Sequence, residues 1–171
     1  MEKALQKRGF EVKVLLNKDA SRRNILSELR RLSAVVTKEH RVVVYFAGHG
    51  VSETVGQHKM GYLMPHEADP NEPDAAGVDM EKIQLRLNGL AAKHVMFVAD
   101  ACYSGIAVKT RGAPLAVNTP DYVSIISKAP VRVTMTAGTD GQEAVEYQGH
   151  GLFTYYLLHG LRGHADANGD G

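Results

Sequence analysis

The chain has 171 residues, 44% of them hydrophobic and 23% charged, a length and balance that fit one globular domain with a core and exclude a disordered chain. Lys and Arg number 20 against 19 acids, a net charge of +1, so no basic field is available to hold nucleic acid or an anionic membrane. A single cysteine, Cys102, excludes an internal disulfide and a cysteine-built zinc site, and is either a buried filler or a reactive thiol.

Taken in chain order, Met1 to Arg8 reads as a helix ending at Gly9, and Phe10 to Leu16 as a strand with apolar residues at 10, 12, 14 and 16. Asp19 or Ser21 can cap a helix from Arg22 to Val36, with Ile25, Leu26, Leu29, Leu32, Val35 and Val36 on one face. Arg41 to Ala47 is a continuous apolar and β-branched run, the pattern of a strand covered on both faces, and it stops at Gly48-His49-Gly50. The stretch from Val51 to Val78, broken by Pro65, Pro70 and Pro73, reads as a loop with one strand-like piece at Tyr62 to Met64. Asp79 can cap a helix to Ala92; His94 to Ala99 is a second apolar strand, running into Asp100-Ala101-Cys102-Tyr103-Ser104-Gly105. A loop from Val108 to Asn118 follows, then a helix at Asp121 to Lys128, a third strand at Val131 to Ala137, and a last helix from Leu152 to Leu161 packing through Phe153, Tyr156, Leu157 and Leu161. This alternation predicts an α/β three-layer sandwich with a mostly parallel sheet.

No stretch approaches the roughly 18 to 20 consecutive apolar residues of a membrane span. The opening MEKALQKRGF contains no secretory segment, so the expectation is a cytoplasmic chain without membrane or nucleic-acid contact. In open parallel sheets the ligand site lies beyond the carboxyl ends of the strands. Beyond the run at 41 to 47 stands His49 between two glycines; beyond the run at 94 to 99 stands Cys102; beyond the run at 131 to 137 stand Asp140 and Glu143. A thiol and an imidazole on adjacent strand ends are the minimum equipment for covalent acyl transfer, by thiolate attack and proton donation to the leaving amine. The Tyr-Ser-Gly after Cys102 is a poor continuation for a core strand, which favours the reactive thiol over the filler. His40, His58, His66, His94, His150 and His159 do not fall at metal-ligand spacings and read as surface residues, and no metal site is assigned.

The combination Tyr45-Phe46-Ala47-Gly48-His49-Gly50 and Asp100-Ala101-Cys102-Tyr103-Ser104-Gly105 resembles the caspase-like cysteine peptidases, closest to the metacaspase and bacterial caspase-homologue branch. The histidine precedes the cysteine by 53 residues, near the caspase spacing of about 50. The animal pattern Q-A-C-x-G becomes D-A-C-Y-S-G, which is the metacaspase pattern D-x-C-x-S-G with Tyr103 in place of a frequent histidine. The resemblance implies a cysteine endopeptidase acting on protein or peptide substrates, with Cys102 as nucleophile and His49 as general acid and base. It implies an oxyanion hole from the backbone N–H groups of Gly50 and Cys102, and cleavage after Arg or Lys because Asp100 lines the primary pocket. A carboxylate there favours a cationic side chain and repels an aspartate. Asp140 or Glu143 offers a second acid, with a solvated loop charge as the alternative.

Lys109 and Arg111, soon after the nucleophile, are candidate self-cleavage sites for an enzyme of that selectivity, against a plain basic loop. No cofactor is required for the chemistry. Calcium enters as an activator that the resemblance suggests, with Asp69, Glu72, Asp74 and Asp79 as candidate oxygen ligands, against a reading as solvated loop acids. The family's first strand comes before its opening helix and nothing precedes Met1 that could form it, so the expected domain is a caspase-like unit over 1–163, N-terminally truncated relative to the family. Residues 164–171, with Asp166-Ala167-Asn168-Gly169-Asp170-Gly171, match the first half of an EF-hand loop or form a tail. The competing functions are a non-catalytic caspase-like binding or regulatory module and a thiol hydrolase acting on a non-peptide substrate. The oligomeric state is left open.

Overall fold

The computed structural model describes residues 1–101, 130–138, 146–147, 149–167 and 169. Two of the apolar runs form neighbouring strands. Strand β1 (Arg41–Ala47) lies parallel to β5 (His94–Asp100), with Arg41 opposite His94 and Ala47 opposite Asp100. On its other side β5 pairs in parallel with β6 (Val131–Thr136), so the sheet order is β1-β5-β6.

Alternation along the strands decides what each face covers. Val42, Val44 and Phe46 of β1 and Val95, Phe97 and Ala99 of β5 pack with Leu29 of α2 (Arg22–Val35) and with Ile83 and Leu87 of α4 (Met80–Asn88). Ser21 caps α2 by accepting from the Asn24 N–H at 3.2 Å, and Asp79 caps α4 by accepting from the Glu81 N–H at 2.8 Å. Tyr45 and Asp100 face the other way, toward α5 (Leu152–His159), to which both are tied by hydrogen bonds through Thr154. Helices thus cover both faces of a parallel sheet, the three-layer α/β arrangement expected.

At the opposite end of the sheet from the strand tips, the Arg132 guanidinium donates to the carbonyls of Leu90, Ala92 and Lys93 at 2.8 to 3.0 Å, gathering the connection between α4 and β5. A planar fork with five donors suits several converging carbonyls.

Several expectations are corrected. Phe10 to Leu16 pairs with no strand among the described residues; Val12 and Val14 are partly buried between exposed Glu11 and Lys13, and Leu16 is 67% exposed. Alternation specifies a face, whereas a strand also needs a neighbour to complete its ladder. The first helix, α1, spans Glu2–Gln6 and ends before Gly9, whose φ of +80° lies in the left-handed region.

The expected loop from Val51 to Val78 contains an antiparallel hairpin, β2 (Gly50–Val55) with β3 (His58–Leu63), and β3 pairs further with β4 (Val78–Asp79). Its turn is Gly56-Gln57, with Gly56 at φ +63°, a two-residue connection in which the first position favours glycine. A single turn of helix, α3 (Pro73–Ala76), precedes β4. The short pair β7 (Glu146–Tyr147) and β8 (His150–Gly151) leads into α5.

The last helix ends at His159 and continues as a π-type turn over Gly160–His164. It buries Thr154 and Leu158, and Tyr156, expected in the packing face, is 66% exposed. The expected helix at Asp121 to Lys128 lies outside the described residues. Among the described residues no helix is long and apolar enough to cross a membrane.

Candidate active site

The parallel register brings the carboxyl ends of β1 and β5 level, with Ala47 opposite Asp100. Immediately past this pair the Gly48 N–H donates to the Asp100 carbonyl at 3.2 Å, which ties the turn carrying His49 to the last residue of β5. The His49 carbonyl in turn accepts from the Met64 N–H at 2.9 Å, at the end of β3. The backbone of His49 is therefore held from two sides while its imidazole is exposed, the condition a proton-transferring side chain needs. Gly50 opens β2 opposite Leu63.

Asp100 is 5% exposed, and its side chain is engaged from the far layer. Its Oδ2 accepts from the Thr154 N–H at 3.2 Å and from the Thr154 hydroxyl. With the Thr154 hydroxyl donating to the carboxylate, the Tyr45 hydroxyl donates to Thr154 Oγ1, at 2.7 Å. Burial pushes the Tyr45 phenol above the usual tyrosine value; the Thr154 bond lowers it somewhat and the Asp100 charge raises it further. The phenol is thus kept protonated and able to donate.

These contacts follow from how α5 begins. Its N-cap is Gly151, which has no side chain to accept from the free N–H groups of the first turn. The Asp100 carboxylate supplies that acceptor from β5. A Cβ at Gly151 would lie inside the Asp100 carboxylate, so glycine is required there by close approach.

Of the residues singled out by the sequence, His49, Gly50 and Asp100 come to one edge of the sheet. Cys102, Asp140, Glu143, Lys109 and Arg111 lie outside the described residues; Cys102 follows Ala101, which is fully buried at 0% exposure. Three of the four acids named as calcium ligands accept hydrogen bonds within the chain. Asp69 accepts from the Asn71 N–H and side-chain amide at 2.8 and 2.9 Å, Asp74 accepts from the Tyr62 hydroxyl at 3.3 Å, and Asp79 caps α4. Glu72 is exposed. Among the described residues no three His, Cys, Asp or Glu side chains group to hold a metal ion. In the segment resembling an EF-hand, Asp166 accepts from the Gly169 N–H at 2.8 Å.

A cleft of about 540 Å³ near α2 and α4 is lined by Arg22, Tyr62, Asp79, Lys82 and Arg86 among others, and neither His49 nor Asp100 borders it. Sequence reasoning missed Tyr45, Gly151 and Thr154. The signal available was a helix start with glycine at the cap and threonine three residues on, which leaves the missing acceptor to come from elsewhere in the fold.

No curated protein matches the chain. The model of the caspase domain family matches residues 1–170, nearly the whole length, and agrees with the parallel sheet between helical layers. On this match the chain belongs to the caspase domain family of cysteine peptidases.

Proposed function

We propose that this chain is a cysteine endopeptidase of the metacaspase type, hydrolysing peptide bonds after Arg or Lys through Cys102 and His49. The observation that carries the reading is the Gly48 to Asp100 hydrogen bond at 3.2 Å, since it holds the histidine turn against the residue two places before the only cysteine. The Cys102 thiolate attacks the scissile carbonyl carbon, forming the C–S bond and an oxyanion that the N–H groups of Gly50 and Cys102 stabilise by donating to it. The imidazolium of His49 gives its proton to the amine nitrogen as the C–N bond breaks, leaving a thioester. Water then attacks the thioester while His49 takes its proton, the C–S bond breaks, and a carboxylic acid and the thiolate are restored.

Asp100 supplies the negative charge that selects a basic residue, with Asp140 or Glu143 as a second acid. Lys109 and Arg111 are sites where the enzyme cuts its own chain. The test is a panel of fluorogenic peptides ending in Arg, Lys or Asp, with wild type and Cys102→Ala, with and without calcium. Release after Arg or Lys, lost in Cys102→Ala, supports the reading. Preference for Asp overturns the role of Asp100, and silence from the folded wild type toward all three substrates favours a non-catalytic binding module.

A further inference from the structure

We infer that the cleft between α2 and α4 is a docking site for an acidic segment of a partner protein, which lays an apolar side chain against Leu26 and Leu85 and carries its carboxylates to Arg22 and Arg86. The cleft holds about 540 Å³, within the range of roughly 300 to 1,000 Å³ usual for ligand sites. Leu26 lines it from α2 and Leu85 from α4, and Leu85 is 75% exposed. A single exposed leucine is ordinary on a protein surface. This one borders a cleft beside a second leucine and among cations, so the apolar area that a partner would remove from water lies next to charges that would orient it.

The charges decide the sign of the occupant. Both acids of the cleft are engaged. Asp79 accepts from the N–H groups of Glu81 and Lys82 at 2.8 and 3.3 Å and lies 3.6 Å from the Lys82 ammonium, and Asp74 accepts from the Tyr62 hydroxyl at 3.3 Å. Two of the cations keep free donors. Arg22 is anchored through Nε, which donates to the Gly77 carbonyl at 3.0 Å, and its two terminal nitrogens retain their N–H groups in one plane. Arg86 is exposed and has no hydrogen bond or ion pair among the described residues. The α2 wall adds to the same sign, with four arginines against one glutamate, Glu28, which is itself paired with Arg31 at 2.6 Å. Planar guanidinium groups with open donors suit carboxylates. Nucleic acid is the poorer fit, because two leucines offer a phosphate nothing and the chain's net charge of +1 gives no extended field. Neither His49 nor Asp100 borders the cleft, so this docking stands independently of the proposed peptidase chemistry.

The experiment follows, by fluorescence anisotropy, the binding of a labelled peptide Glu-Glu-Leu-Glu-Glu to the purified full chain at about 50 and 300 mM salt. Peptides with every Glu replaced by Gln, or with the Leu replaced by Ala, and a single-stranded oligonucleotide are measured beside it. Saturable binding that weakens at the higher salt, and that falls by about threefold or more in each altered peptide, supports the inference. Leu85→Gln and Arg86→Gln change exposed positions, so their melting temperatures are expected to stay near wild type, and each should weaken the acidic peptide by about three- to fivefold. Val55→Gln, an exposed position outside the cleft, should leave binding unchanged. No binding up to about 1 mM peptide overturns the inference, as do equal affinities in wild type and both cleft variants, or an equal loss in Val55→Gln. Tighter binding of the oligonucleotide than of the acidic peptide overturns it in favour of a phosphate backbone. Sedimentation that finds a wild-type dimer dissociated by Leu85→Gln overturns it in favour of a second copy of the chain. If either variant proves unstable, the peptide series on the wild-type chain decides.

Discussion

The Gly48 N–H and the Asp100 carbonyl lie 3.2 Å apart, joining the ends of two parallel strands just where His49 leaves one of them and the segment toward Cys102 leaves the other. Asp100 thus serves two directions: its main chain holds the histidine turn and its side chain holds the start of α5.

Because His49 is exposed and contributes little packing, His49→Ala is expected to keep thermal stability within about 0.5 kcal/mol of wild type. Its kcat toward Arg peptides should fall by about 10² to 10⁴, and Cys102→Ala should show no turnover. Paired melting curves and steady-state kinetics check this. Retained turnover in Cys102→Ala would remove the thiol from the mechanism.

Gly151→Ala places a methyl group inside the Asp100 carboxylate and forces α5 or β5 to move. The expected loss is about 1 to 3 kcal/mol, at the upper end of overpacking effects because the obstacle is a buried, hydrogen-bonded group. Urea unfolding measures it, and a variant as stable as wild type would show that this approach is not close.

Arg132→Lys retains a positive charge but cannot reach the carbonyls of Leu90, Ala92 and Lys93 together. A loss of about 1 to 3 kcal/mol is expected, from buried carbonyls left without donors, with activity per folded molecule unchanged. Denaturant titration combined with active-site counting tests both halves of the statement.

Burial pushes the phenols of Tyr45 and Tyr62 above the usual tyrosine value of 10.0, with the Asp74 charge adding to the rise at Tyr62. A raised value in the folded chain means the neutral phenol is favoured there. The associated stability is complete below about pH 10 and is lost as pH climbs through the folded values. Unfolding midpoints should therefore decline in that alkaline range, and Tyr62→Phe should decline less steeply. Equal slopes would assign the alkaline loss to other groups.

Incubated under active conditions, the wild-type chain should be cut after Lys109 or Arg111, and Cys102→Ala should stay whole. Electrophoresis with terminal sequencing of the fragments decides it. Cleavage of Cys102→Ala at the same rate would point to a contaminating protease.

Local signals were legible where one element's own residues decided its state. The β-branched runs of β1 and β5, the Ser21 and Asp79 caps and the Gly48-His49-Gly50 turn all appear where their residues predict. The β2 and β3 hairpin was hidden because its strands carry Ser52, Glu53, Thr54, His58 and Lys59, and Gly56-Gln57 is a modest turn signal beside three prolines downstream. Phe10 to Leu16 has the strand period without a ladder partner among the described residues, because periodicity is silent about what a segment pairs with.

The amino-acid order alone determined the alternating α/β plan and nominated His49, Asp100 and Cys102, because strand patterning and the glycines that follow act over a few residues. Only the tertiary structure decided what Asp100 touches. Thr154 lies 54 residues further along the chain, and its hydroxyl reaches the carboxylate because α5 crosses the face of the sheet opposite α2 and α4. A contact at that separation depends on how the layers pack, and no short-range pattern encodes it.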